Sequence, residues 1–239
     1  MHSMCVGVKN VMRLSAAGTS LSKRSPGMPG IGLIHGPTGY GKTKSVDWYA
    51  NKTKAHYVRA WASWTPAGML GDICKELTLP AGGSLHAMST RIVERLTFSQ
   101  KALFIDEADY VVDSKRMRDI TRDLHDMSGV PIVLIGMDEI EQKLACSPQF
   151  TGRVSQNVKF EPLDLADARK IADTLCEVQI ADDLLRKIFT DANGACRNII
   201  VSLGEAENIG KSRALKSVAL ADLGNNVKLF TGAAPQAAA

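Results

Sequence analysis

Residues 36–43 read Gly36-Pro37-Thr38-Gly39-Tyr40-Gly41-Lys42-Thr43, a complete G-x-x-x-x-G-K-[ST] phosphate-binding pattern. The chemistry follows from the residue types. A glycine-rich turn lets successive backbone N–H groups point at phosphate oxygens, and the helix N-terminus behind it adds partial positive charge. Lys42 reaches the β- and γ-phosphates of a bound ATP, and the Thr43 hydroxyl takes one position on Mg²⁺. A second element carries the complementary charge. Ala102-Leu103-Phe104-Ile105 is an apolar run that ends in Asp106-Glu107. A carboxylate at the C-terminal end of a buried parallel strand lies beside the phosphate loop in an open α/β sheet. Asp106 there is a Mg²⁺ holder, usually through water, and Glu107 is placed to orient or deprotonate an attacking water.

These groups work only if strands and helices deliver them. Gly32-Leu33-Ile34-His35 reads as a short buried strand before the loop, and 44–50 as the start of a helix after it. A second strand is expected over 56–59. Thr65-Pro66 is a helix start, with Thr as N-cap and Pro in the first turn. That helix runs to about Leu77, residues 80–84 break the chain, and another helix covers 85–99. Asp109 starts or precedes the next helix, 114–127 is a charged amphipathic helix, and strands follow over 131–135 and 157–160. Strands separated by helices imply a parallel sheet covered on both faces. After Pro162 the pattern changes to helices over 164–177, 181–192, 196–210 and 217–223, with no comparable strand signal. The expected division is a basic arm and hinge over 1–30 with a short helix near 6–17, an α/β core over 31–162, an all-helical lid over 163–228 and a disordered tail over 229–239.

The 239 residues are 45% hydrophobic and 23% charged, which is ordinary for a globular chain and leaves room for one large domain plus a small one. No apolar run approaches the ~20 residues of a membrane span, and no signal-peptide core is visible, so a cytoplasmic location with no membrane partner is expected. The five cysteines are scattered without a C-x-x-C pair, which points to reduced thiols rather than a disulfide framework or zinc site. Net charge is only +4, but the first acidic residue is Asp47, after Lys9, Arg13, Lys23, Arg24, Lys42 and Lys44. An acid-free basic arm is either a contact for nucleic acid or a solvated leader.

The order of motifs resembles the AAA+ ATPases: phosphate loop, Asp106-Glu107 strand, an arginine (Arg153) before the last strand, and an arginine (Arg197) opening a helix of the C-terminal region. The resemblance covers roughly 32–210. It implies an α/β P-loop core with a helical lid, a sensor role for Arg197 at the nucleotide, and assembly in which Arg153 reaches the γ-phosphate of a neighbouring subunit. Within that family, 31–36, Asp106-Glu107-Ala108-Asp109 and the 134–140 string Leu-Ile-Gly-Met-Asp-Glu-Ile look like the phage Mu B and TnsC group of transposition ATPases. That likeness implies an ATP-dependent protein that polymerises on duplex DNA with little sequence preference and recruits or activates a transposase. Met137 departs from the pattern, because a polar sensor often stands there. Asp106-Glu107-Ala108-Asp109 also invites a DEAD-box helicase reading, but such enzymes need two tandem α/β domains, and this chain has residues for one.

DNA binding without sequence preference rests on Lys and Arg at phosphates. Arg59, Trp61 and Trp64 lie at the end of the second strand, where the resembling proteins tend to face their central channel; the alternative for both tryptophans is packing. Lys115 and Arg116 open the charged helix and are further DNA candidates, while Lys115–Asp119 and Arg122–Asp126 have the i,i+4 spacing of helix ion pairs. Two other functions share the ATP site: an ATPase serving a protein partner such as a secretion system, and a helicase-loader-like adaptor that prefers single strands.

Overall fold

The structure is a computed structural model and describes residues 1–2 and 4–223. The tail expected over 229–239, and the end of the expected lid at 224–228, lie outside the described residues. The described chain forms two compact units: Arg13–Pro37 with Lys42–Phe160, and Met1–Met12 with Thr38–Gly41 and 161–223.

The larger unit is a parallel α/β sheet of five strands: β1 Ile31–His35, β2 His56–Arg59, β3 Leu103–Asp106, β4 Ile132–Ile135 and β5 Val154–Lys159. Their spatial order is β2-β3-β4-β1-β5. The chain leaves β1 toward one edge and returns past it to β5, so the C-terminal end of β1 is a topological switch point, where open α/β sheets place ligands. Side chains alternate between two faces. Leu33, Leu103, Ile105 and Leu134 pack with α3 (Pro66–Glu76), α4 (Leu85–Ser99) and α6 (Lys115–Ser128). Phe104 and Val133 turn to the other face, where they meet Leu14 and Leu21 of α1 (Lys9–Ser22). Tyr49 of α2 (Lys42–Thr53) completes that layer with its ring 6.1 Å from Phe104.

Local signals account for most of these elements. Thr65 Oγ1 accepts the Gly68 N–H at 3.2 Å, as its N-cap reading requires, and Ser84 caps α4 in the same way. Helix α1 starts and ends later than expected, because the apolar stripe of Val11, Leu14, Ala17 and Leu21 continues to its C-terminus and is buried. The basic arm is thereby no free leader. Lys9 pairs with Asp164, and the Arg24 guanidinium donates to the carbonyls of Leu21, Met28 and Gly129. The short helices α5 (Asp109–Asp113), α7 (Ile140–Ala145) and α8 (Pro148–Thr151) complete the unit. The last two were not legible, since neither is long enough to show a period.

In the smaller unit, helices α9 (Leu165–Leu175), α10 (Asp182–Ala192) and α11 (Cys196–Ser212) stand where helices were expected. It is not all-helical. β6 (Gln179–Ile180) and β7 (Ser217–Val218) pair in parallel, and the helix expected over 217–223 is instead β7 followed by a 3₁₀ turn at Leu220–Leu223. Two-residue strands carry no periodicity; what fixes them is burial of Ile180 and Val218.

Cysteine exposure yields one expected outcome. Burial pushes the thiols of Cys176 and Cys196 up to about 11 and raises those of Cys5 and Cys74, whereas Cys146 is exposed. A raised thiol has less thiolate at a given pH and reacts more slowly. A brief maleimide pulse at neutral pH, read by peptide mass spectrometry, should label Cys146 first; faster labelling of Cys196 would contradict this packing.

Candidate active site

The phosphate loop begins where β1 runs out. Gly36 adopts φ 145°, and a Cβ there would lie 2.7 Å from the Phe160 carbonyl oxygen, so only glycine fits. Gly39 and Gly41 also have positive φ, which turns the backbone through a tight loop into α2. Lys42 is the first residue of that helix. Its Nζ donates to the Gly36 carbonyl at 2.5 Å and the Pro37 carbonyl at 2.9 Å. Burial lowers the Lys42 pKa, and the carboxylates of Asp106, Glu107, Asp109 and Asp138 pull it back up. Lys42 therefore sits in a pocket of negative charge at the head of a helix. Thr43 follows, exposed, in the same first turn. In the smaller unit, the exposed Arg197 opens α11, and its backbone N–H donates to the Gly39 carbonyl at 2.8 Å.

Asp106 closes β3 and is 3% exposed. Its Oδ1 accepts the Glu107 N–H at 2.9 Å, and its Oδ2 accepts the Tyr57 hydroxyl at 2.8 Å. Burial, then the Asp106 charge, raises the Tyr57 pKa, so the phenol stays a donor and fixes the carboxylate. Glu107 stands at φ 53°, a left-handed conformation that is uncommon for a non-glycine residue and gathers at functional sites. It turns the chain out of the sheet, leaving the side chain part-exposed, with Oε1 3.1 Å from Arg59 Nη2. These donors suit the expected groups. Gly36, Gly39 and Gly41 hold the loop at positive φ, a backbone that aims successive N–H groups at an anion, and Thr43 with Asp106 offers the hard oxygen ligands that Mg²⁺ takes alongside phosphate and water.

Arg153 precedes β5, and its carbonyl accepts the Ile31 N–H at 2.9 Å. It therefore stands at the N-terminal edge of the sheet, while the loop leaves the C-terminal edge past His35. The length of β1 separates them, on the order of 13 Å. Arg153 does not serve its own loop.

Residues 27–144 match the family model of the AAA domain. That stretch matches an AAA-type P-loop ATPase domain. No curated protein matches the chain in sequence. Among solved structures, Aeropyrum pernix Orc1 in complex with DNA is 18% identical, with TM-score 0.64 over 93% of this chain and 65% of that one. Pyrobaculum aerophilum Cdc6p is 20% identical, with TM-score 0.65 over 90% of this chain and 64% of that one. The Thermotoga maritima RuvB Holliday junction branch migration motor is 18% identical, with TM-score 0.63 over 91% and 67%. The chain thus spans just under two thirds of the length of the first two proteins.

Around the loop stand residues that were not among the expected site residues: Tyr57, and Asp109 and Asp138 from within the quoted strings. Met137 ends the fourth-strand region without a polar side chain, and its backbone N–H is held by Asp109 Oδ2 at 2.9 Å. One residue on, Asp138 Oδ1 lies 3.4 Å from Nδ1 of the buried His35 and 3.2 Å from Lys159 Nζ. A carboxylate just past an apolar strand was the available signal for Asp138. For Tyr57 there was none, since its partner is set by strand pairing.

The DNA candidates of the AAA domain separate. Arg59 and Trp61 are exposed, and with Glu107 and Tyr110 they line an open cleft of about 400 Å³. Trp64 is a correction. It is 8% exposed in the apolar core, and its Nε1 donates to Asp72 Oδ2 at 2.8 Å, so its ring is not available to a ligand. Trp64→Ala is expected to cost about 3–5 kcal/mol in stability, read by chemical denaturation, whereas Trp61→Ala should cost little. Equal costs would refute the assignment. Lys115 and Arg116 are exposed at the start of α6. The anticipated ion pairs on that helix differ: Arg122 bonds Asp119 and Asp123, and Asp126 turns to Arg153. A tertiary partner takes Asp126, while Arg122 and Asp119 pair with other neighbours on the same helix.

Proposed function

We propose that this chain is an ATP-hydrolysing, Mg²⁺-dependent protein that assembles head to tail and binds duplex DNA in its ATP state with little sequence preference. It would act as a transposition target-selection and transposase-activating protein in the cytoplasm. The observation that carries this reading is the placement of Lys42, Asp106 and Glu107 at one edge of the sheet and Arg153 at the other. A heterologous contact brings the arginine edge of one copy to the loop edge of the next. Residues 1–30 serve as the N-terminal segment, 31–162 as the ATPase core and 163–228 as a lid carrying Arg197.

Within one site, the loop N–H groups and Lys42 bind the phosphates, and Thr43 with Asp106 would hold Mg²⁺. The ion, when bound, neutralises phosphate charge. Tyr57 keeps Asp106 oriented. Glu107 accepts the proton of the attacking water, and Arg59, its ion-pair partner, steadies the carboxylate. Arg153 of the adjacent copy supplies positive charge at the γ-phosphate. The strings at 106–109 and 134–140 favour the transposition branch, and the DNA in the Orc1 structure supports a DNA-directed role.

Duplex binding measured with ATP, with ADP and without nucleotide, at two salt concentrations, tests the reading. Binding should be strong with ATP, fall steeply with salt as phosphate contacts require, and weaken at least ~10-fold in Lys42→Ala. Intact ATP turnover with no DNA binding in any state would favour an ATPase serving a protein partner. Preference for single strands would favour a helicase-loader-like adaptor.

A further inference from the structure

Arg153 is held from two sides, and the pattern of its bonds says what the holding is for. Its Nε lies 2.7 Å from both carboxylate oxygens of Asp126, and its Nη2 lies 2.6 Å from Oδ2. Its Nη1 donates to the Gln149 carbonyl at 2.5 Å. Gln149 is itself anchored, because Arg122 Nη1 donates to its Oε1 at 2.9 Å. The backbone below is fixed as well: the Arg153 N–H donates to the carbonyl of the buried Phe150 at 3.0 Å. A guanidinium has five N–H donors. Asp126 takes one on Nε and one on Nη2, and Gln149 takes one on Nη1. One donor on each terminal nitrogen is left, the pair that makes the fork of a bidentate phosphate contact. About a third of the Arg153 side chain remains exposed.

We propose that Asp126 is a positioning residue that sets the Arg153 fork for a phosphate of a neighbouring copy. This rests on the reading that Arg153 acts in trans. Arginine is a long, rotamer-rich side chain, and one held in the reacting geometry before assembly need not be ordered during it. An ion pair this exposed adds little to stability, which leaves orientation as its main consequence. α6 carries both Asp126 and Arg122, so a single helix sets the arginine through its carboxylate and through Gln149.

The test is steady-state ATP hydrolysis with duplex DNA, across protein concentration, for wild type, Asp126→Asn, Asp126→Glu, Arg153→Ala and the Asp126→Asn/Arg153→Ala double variant. Thermal melts run alongside. Asp126→Asn should keep its melting temperature and its KM for ATP and lose about 10- to 100-fold in kcat. Asp126→Glu should recover part of the loss. The double variant should be no worse than Arg153→Ala alone, because a positioning residue has nothing left to position. If Arg153→Ala hydrolyses ATP like wild type, the trans reading itself fails. If Arg153→Ala is impaired while Asp126→Asn matches or exceeds wild type, or if the two losses multiply, the trans reading stands and the positioning role is overturned.

Discussion

Glu107→Gln is expected to lower ATP turnover by about 10²- to 10⁴-fold, the range for a general base, while ATP binding stays within a few-fold of wild type. The substitution keeps the volume of the side chain and leaves a carbonyl oxygen that can still accept from Arg59, 3.1 Å away in the native protein. The φ of 53° at this position is a backbone property, and the Glu107 N–H that orients Asp106 is unchanged. Lys42, Thr43 and Asp106 are untouched. The loss therefore reports proton acceptance and nothing upstream of it. If hydrolysis is the timer for disassembly, the same variant should hold its DNA-bound assemblies at saturating ATP for far longer than wild type. Phosphate release and the decay of assemblies under electron microscopy measure the two effects separately. Normal turnover would remove Glu107 from the base role. Slow turnover with rapid loss of assemblies would cut the link between hydrolysis and release.

What the sequence disclosed and what it withheld divide along a physical line. The loop, the end of β3 at Asp106 and the caps at Thr65 and Ser84 are encoded in consecutive residues, so each was legible where it stands. The bounds of α4 were legible for the same reason. The withheld features all depend on distant segments meeting. Tyr57 reaches Asp106 because β2 pairs with β3 in a register that sets Arg59 beside Asp106. That register also sets Arg59 against Glu107. Trp64 sits two positions from the start of a well-marked helix, yet only the fold shows that its ring faces the core while Trp61, three residues earlier, faces outward. On α6 the sequence spacing pointed to partners along the helix. Asp126 instead turned to Arg153, because the helix ends beside the start of β5. A basic N-terminal segment looked free for the same reason: Asp164, which engages Lys9, and the Gly129 carbonyl, which engages Arg24, lie far along the chain.

Arg153→Ala should reduce hydrolysis by roughly 10³-fold or more if the residue acts as a trans arginine, and it should do so without harming nucleotide binding. The sheet dictates the second part, since Arg153 stands at the edge away from its own loop. Folding should survive, because the pair it breaks with Asp126 is solvent-exposed and such pairs contribute little. The decisive experiment mixes two inactive variants. Glu107→Gln copies lack the base but still offer Arg153, and Arg153→Ala copies lack the arginine but still offer Glu107. In a random equimolar head-to-tail assembly, about one interface in four joins an intact Glu107 to an intact neighbouring Arg153. Activity should therefore return to about a quarter of the wild-type rate per site, with a dependence on total protein that follows assembly. A site complete within one copy gains nothing from mixing, so a mixture no more active than its components would place Arg153 outside the reaction.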